Sequence, residues 1–108
     1  MEIEQIVALV RALDKPKDSS SPKHPLTLNT NYFIRTVTLY YTGRLKEIVG
    51  DWLVLEDATW IADTGRFHDF LKDGLCNEYE SFVSSVRIPI GSIIDVTEWN
   101  HELFKGQK

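Results

Sequence analysis

Apolar residues in the first fourteen positions recur at helical spacing. Ile3, Ile6, Val7, Val10 and Leu13 follow the i, i+3, i+4, i+7 rule, while Glu2, Glu4, Gln5 and Arg11 fall on the other face, so an amphipathic helix is expected over residues 1–14. Pro16 ends it. A helix of about 13 residues is marginal in water by itself, so the stripe needs something to pack against. Residues 15–31 then carry Ser19, Ser20, Ser21, Pro16, Pro22 and Pro25 among Lys17, Asp18 and Lys23, and read as a flexible linker.

From Tyr32 the period changes to two. Val37, Leu39 and Tyr41 alternate with Thr36, Thr38 and Tyr40, as in a half-buried strand. Gly43 allows a bend into Arg44–Ile48, Gly50-Asp51 marks a tight turn, and Trp52-Leu53-Val54-Leu55 is apolar enough to be covered on both faces. Ala58–Ala62 reads as a further extended piece. Asp63-Thr64-Gly65-Arg66 interrupts the strands, and Phe67–Lys72 reads as a short helical turn with Phe67, Phe70 and Leu71 inward and Gly74 just past its end. Val83–Ile90 and Ser92–Trp99 are two more strand candidates separated by Gly91. The chain thus divides into a helix (1–14), a linker (15–31), a β domain (32–100) and a polar tail (101–108).

Composition sharpens that division. All twelve aromatic residues lie between Tyr32 and Phe104. Residues 32–108 also hold the whole net charge of −4, at a pI near 5.3. An acidic chain is ill suited to coating long nucleic acid, which needs clustered Lys and Arg. The single cysteine, Cys76, excludes an internal disulfide and a Cys-based zinc site, and fits a reducing cytoplasm. No apolar run approaches the ~20 residues of a membrane span.

The order of short bent strands after a helix resembles the Sm-like barrel. Val37-Thr-Leu-Tyr-Tyr-Thr-Gly43-Arg-Leu-Lys-Glu-Ile48 through Leu53-Val-Leu-Glu-Asp57-Ala58 resembles the first Sm motif. Arg87-Ile-Pro-Ile-Gly91-Ser-Ile-Ile-Asp-Val96 is similar to the closing pair. The resemblance implies a mainly β, strongly bent, five-stranded Sm-like or SH3-like barrel with a short helical insertion. It also implies homo-oligomeric rings, in which strand four of one subunit pairs with strand five of the next. The family's Asp-x-x-x-Asn loop for uridine is missing, since only Val49-Gly50-Asp51 joins strands two and three, and about twenty residues (63–80) are inserted. The block Trp60-Ile-Ala-Asp-Thr-Gly-Arg-Phe67 further resembles a family of small proteins from bacteria and their phages, which implies a common fold and no particular activity.

That block also holds the densest candidate chemistry. Gly65 can adopt positive φ and open a nest of N–H groups for an anion; Arg66 could clamp a phosphate; Trp60 or Phe67 could stack on a base; Asp63 and Thr64 could hydrogen-bond a ribose. The structural alternative is that Asp63 or Thr64 caps the helical turn, Trp60 fills the barrel end, and Arg66 pairs with Glu56 or Asp57. Asp63-Thr64-Gly65 also spells the aspartic-protease signature, but Arg66 stands where a small residue is needed and only about 25 residues separate the motif from its loose echo at Ile88–Gly91, too few for the flap and substrate strands. His24, His68 and His101 show no metal-ligand spacing, and no cofactor motif is present.

The sequence therefore points first to a non-catalytic, oligomeric binding module for a small anionic ligand such as a nucleotide. Trp60, Asp63, Thr64, Gly65, Arg66 and Phe67 would line its site, and sequestering a nucleotide signal of host defence would be a concrete role for a phage protein. The alternatives are a protein-interaction module, using the N-terminal helix or residues 67–82 on a host defence protein, and Sm-type RNA binding.

Overall fold

The computed structural model describes residues 24–108, so the expected helix at 1–14 and most of the linker lie outside the described residues. Six strands form: β1 (Asn31–Thr36), β2 (Tyr40–Val49), β3 (Trp52–Asp63), β4 (Glu78–Ser81), β5 (Val86–Pro89) and β6 (Ile93–Glu98). One helix, α1 (Phe67–Asp73), follows β3, and a 3-10 turn over Ile90–Ser92 joins β5 to β6.

The alternating run at 36–41 is not one strand but a hairpin corner. The Thr36 N–H donates to the Leu39 carbonyl (2.8 Å) and the Leu39 N–H returns to the Thr36 hydroxyl (3.0 Å), a side-chain-closed turn that leaves Val37 73% exposed. The β2–β3 turn falls at Gly50, with φ +54°, as expected. Gly43 lies at a register shift between β2 and β3. A Cβ there would sit 3.1 Å from Leu55 Cδ1 and 3.3 Å from the Ala58 Cα, so glycine lets the bulged strand close on its neighbour.

All pairings are antiparallel, in the order β4-β3-β2-β1-β6, with β5 also on β3. β3 is long enough, at twelve residues, for two short strands to share its outer edge. Trp52–Leu55 pair with β5, and Thr59–Asp63 pair with β4. The expectation of a closed five-stranded barrel is corrected on both counts: there are six strands, and the sheet is not closed. β6 pairs with β1 and, among the described residues, with no strand on its other side. β5 offers only four residues toward closure, the last of them a proline without an N–H.

The bent sheet holds two apolar clusters. Tyr32, Ile34, Leu45, Leu53, Leu55, Ala58 and Ile88 form one, against which Leu26, Ile93 and Val96 are partly buried. Phe33, Ile61, Phe70, Cys76 and Trp99 form the other, beneath α1. The helical turn is as expected in place and in its Gly74 terminus, which sits at φ +73° with its N–H on the Phe70 carbonyl. Phe70 is its one buried residue, whereas Phe67, expected inward, is 39% exposed. β4 emerges inside the inserted segment, and the residues after Trp99 return along it. Tyr79 and Lys108 exchange N–H···O bonds (3.1 and 2.8 Å), and the Ser81 N–H donates to Gly106 (2.8 Å).

Candidate functional site

Of the six residues singled out, five share one loop. Asp63 ends β3, Gly65 turns with φ +74°, and Arg66 precedes Phe67, the first residue of α1. Trp60 stays in the body of β3, between Tyr41 of β2 and Glu80 of β4, roughly 10 Å of strand before Asp63.

The loop is largely self-satisfied. The Gly65 N–H donates to Asp63 Oδ1 at 2.8 Å, so a carboxylate already occupies the position an anion would take. The Thr64 hydroxyl donates to the Gly65 carbonyl (2.8 Å). The Asp63 carbonyl accepts from the Asn77 N–H (2.9 Å) and the Cys76 thiol (3.3 Å). Burial pushes that thiol's pKa up, which keeps it a proton donor rather than a nucleophile. Neither Asp63 nor Thr64 caps α1.

Arg66 is exposed and lies 3.9 Å from Asp69, rather than pairing with Glu56 or Asp57. Those two carboxylates instead hold Arg44, at 3.1 and 2.9 Å, with Lys46 on Glu56 at 3.1 Å. Hydrogen bonds from Lys46 and then Arg44 keep the Glu56 carboxyl below its ordinary range. Beside the loop, Arg35 of β1 places its guanidinium 5.3 Å from the centre of the Phe67 ring. The same guanidinium makes a two-pronged pair with Asp95 of β6, whose carboxyl it holds low by hydrogen bonding. Two guanidinium groups (Arg35, Arg66) thus stand among three carboxylates (Asp63, Asp69, Asp95), a local balance that does not favour an anion.

None of the six residues lines the apolar groove beside β6, nor the cleft of about 510 Å³ walled by Arg44, Asp57, Phe82 and Phe104. The groove, about 580 Å³, opens where the sheet fails to close. Leu26, Tyr32, Leu53, Ile90, Ile93 and Val96 form its apolar walls, with His24 and Glu98 at the rim.

The outer edges beside this groove differ in what they offer. Residue pairs along an antiparallel ladder alternate between bonded and non-bonded, so one bond sets the direction of its neighbours. The Trp99 N–H donates to Asn31, in register with Tyr32↔Glu98, which turns the backbone groups of Val96 and Glu98 away from β1. The Ile90 N–H donates to Asp51, in register with Leu53↔Ile88, which turns Arg87 and Pro89 outward on β5. Pro89 has no N–H, and its carbonyl accepts from the Ser92 hydroxyl (2.8 Å). Residues 106–108 hydrogen-bond to β4. The β5 edge is thus left with the donor of Arg87 alone, whereas β6 turns both Val96 and Glu98 outward, and Ile94 on it is 63% exposed.

Sequence reasoning passed over these features. Pro89 at the end of an apolar run is a readable edge signal, and Ile93-Ile94 supplies more apolar surface than one buried face can use. Arg35 and Asp95, sixty residues apart, gave no local sign of their pairing. Among the described residues no helix is long and apolar enough to cross a membrane, and no group of three or more His, Cys, Asp or Glu is placed to hold a metal ion. No protein-family model matches the chain, and no curated protein is significantly similar to it.

Proposed function

We propose that the chain is a non-catalytic interaction module that self-associates by pairing its β6 edge with β6 of a second copy. The observation that carries this reading is the asymmetry of the edges: β4 is met by residues 106–108, β5 is blunted by Pro89, and β6 directs Val96 and Glu98 outward with Ile94 exposed beside them. An antiparallel pair centred on Val96 sets Glu98 against Ile94 of the other copy and no carboxylate directly across from another. An isologous contact of this kind closes at two subunits. In Sm-like rings the contact joins strands four and five, whose counterparts by order are β5 and β6. Pro89 leaves Arg87 as the one outward N–H on that β5 edge, which favours β6 pairing with itself instead.

Glu98→Pro tests the reading, because the Glu98 N–H points outward and makes no bond within the sheet. Sedimentation should show a concentration-dependent dimer for the wild type. Dimerisation should be at least tenfold (~1.4 kcal/mol) weaker in Glu98→Pro, with an unchanged circular dichroism spectrum. A wild type that stays monomeric, a variant that dimerises as before, or a ring of more than two subunits would each overturn it.

The second reading, a site for a nucleotide at Asp63–Phe67, is favoured by Arg35 over the exposed Phe67 ring beside the exposed Arg66. It requires that a nucleotide panel raise the melting temperature and that Arg66→Ala abolish the rise; no shift with any nucleotide would remove it.

A further inference from the structure

We propose that residues 1–14 of the chain fill the groove of the same molecule, laying the stripe of Ile3, Ile6, Val7, Val10 and Leu13 along Leu26, Tyr32, Ile90, Ile93 and Val96 and so sealing the seam that the strands leave open. The β6 edge proposed for self-pairing borders the same groove, since Val96 and Glu98 line it, so the test below suppresses that pairing in every variant.

The first argument is where the chain enters. His24, Pro25 and Leu26, the first described residues, are themselves part of the groove wall. The chain is anchored to the sheet just after them, where the Thr27 N–H donates to the Tyr32 hydroxyl (2.8 Å) and the Asn29 N–H to the Leu45 carbonyl (2.6 Å). Residues preceding His24 therefore begin at the groove.

The second is reach. Ten residues lie between Leu13 and His24, eleven steps that span up to ~36–40 Å when extended, so the stripe can fold back over the seam without strain. Tethering over so short a linker gives an effective concentration of order millimolar, which favours the chain's own stripe over that of another copy.

The third is size and chemistry. A cavity of ~150 Å³ already holds a small apolar guest in a packed core, so about 580 Å³ accommodates three or four aliphatic side chains. That is the number one face of a three-turn helix presents. The walls are the part of the first cluster left incompletely covered: Leu26, Ile93 and Val96 are only partly buried against it, and Ile90 is exposed.

The test compares the full chain with a deletion of residues 1–14 and with Val10→Asp, all carrying Glu98→Pro so that β6 pairing is suppressed throughout. Both changes should lower the melting temperature by about 5–10 °C and increase binding of an apolar dye, and a peptide of residues 1–14 added to the deletion should reverse both effects. Isotope-filtered NOE spectra of the full chain should place Val10 methyls against Ile93 methyls within one molecule. Unchanged melting and dye binding in both variants, or NOEs only between molecules, would overturn the proposal.

Discussion

Replacing Phe70 with alanine is expected to lower the unfolding free energy by about 3–5 kcal/mol, a large share of the 5–15 kcal/mol typical of a domain. Phe70 is fully buried and is the one buried residue that α1 contributes to the second cluster. Its ring lies 5.0 Å from Phe33 of β1, 4.7 Å from Trp99 and 6.4 Å from Phe104, so it joins the helix, the sheet and the C-terminal segment at one point. Removing it opens a cavity among rings that cannot all follow. Urea unfolding should show the loss in midpoint, with Trp99 fluorescence shifting toward that of a hydrated indole. Leu71→Ala, one residue on and only partly buried, should cost much less; equal effects would mean that the helix is held by its whole face rather than by this anchor.

The second large effect is expected at Gly74. Its φ of +73° costs an ordinary residue about 1–2 kcal/mol, and a β-branched one more. A Cβ there would stand 2.7 Å from Cγ of His101. That ring cannot swing aside freely, since its Nε2 lies 2.8 Å from the Leu71 carbonyl and its face meets Trp99 edge-on at 4.8 Å. Gly74→Val should therefore destabilise by about 3 kcal/mol, the sum of backbone strain and a displaced packing contact. Gly50→Ala is the control, because Gly50 has a similar φ of +54° but no atom within 4 Å of the added Cβ. Its melting temperature should fall only by the strain component. If the two substitutions cost the same, the His101 contact contributes nothing.

The sequence carried the class of the fold and most of its punctuation. Gly43, Gly50, Gly74 and Gly91 each fall at a bend, turn, cap or crossover, because at these places local backbone chemistry decides. The runs between them were read less well where long-range pairing decides. Val37–Leu39 alternate like a strand, yet Thr36 folds them into a corner by bonding its own neighbourhood. Glu78–Ser81, polar at alternate positions, become β4 because β3 runs far enough to offer them an edge. Closure failed as an expectation for a related reason: whether a bent sheet meets itself depends on strand lengths and on the proline that ends β5, not on apolar content.

The candidate loop was legible as a cluster and not as a site. Proximity in sequence brought Asp63–Phe67 together, but local spacing could not foresee that Asp63 would take the Gly65 N–H for itself. Nor could it foresee Arg35 arriving from β1 with Asp95 already in hand. The groove has walls from five separate segments, which no window along the chain would assemble.

Amide hydrogen exchange across a dilution series addresses the open β6 edge most directly. Phe33 and Ile34, interior to the ladder, should be protected at every concentration, as should Tyr79 and Ser81 with their partners at 106–108. The Val96 and Glu98 amides should be protected in concentrated solution and exchange freely on dilution. Their protection at all concentrations would mean that the strand is already covered within a single chain, and would contradict an edge that waits for a second copy.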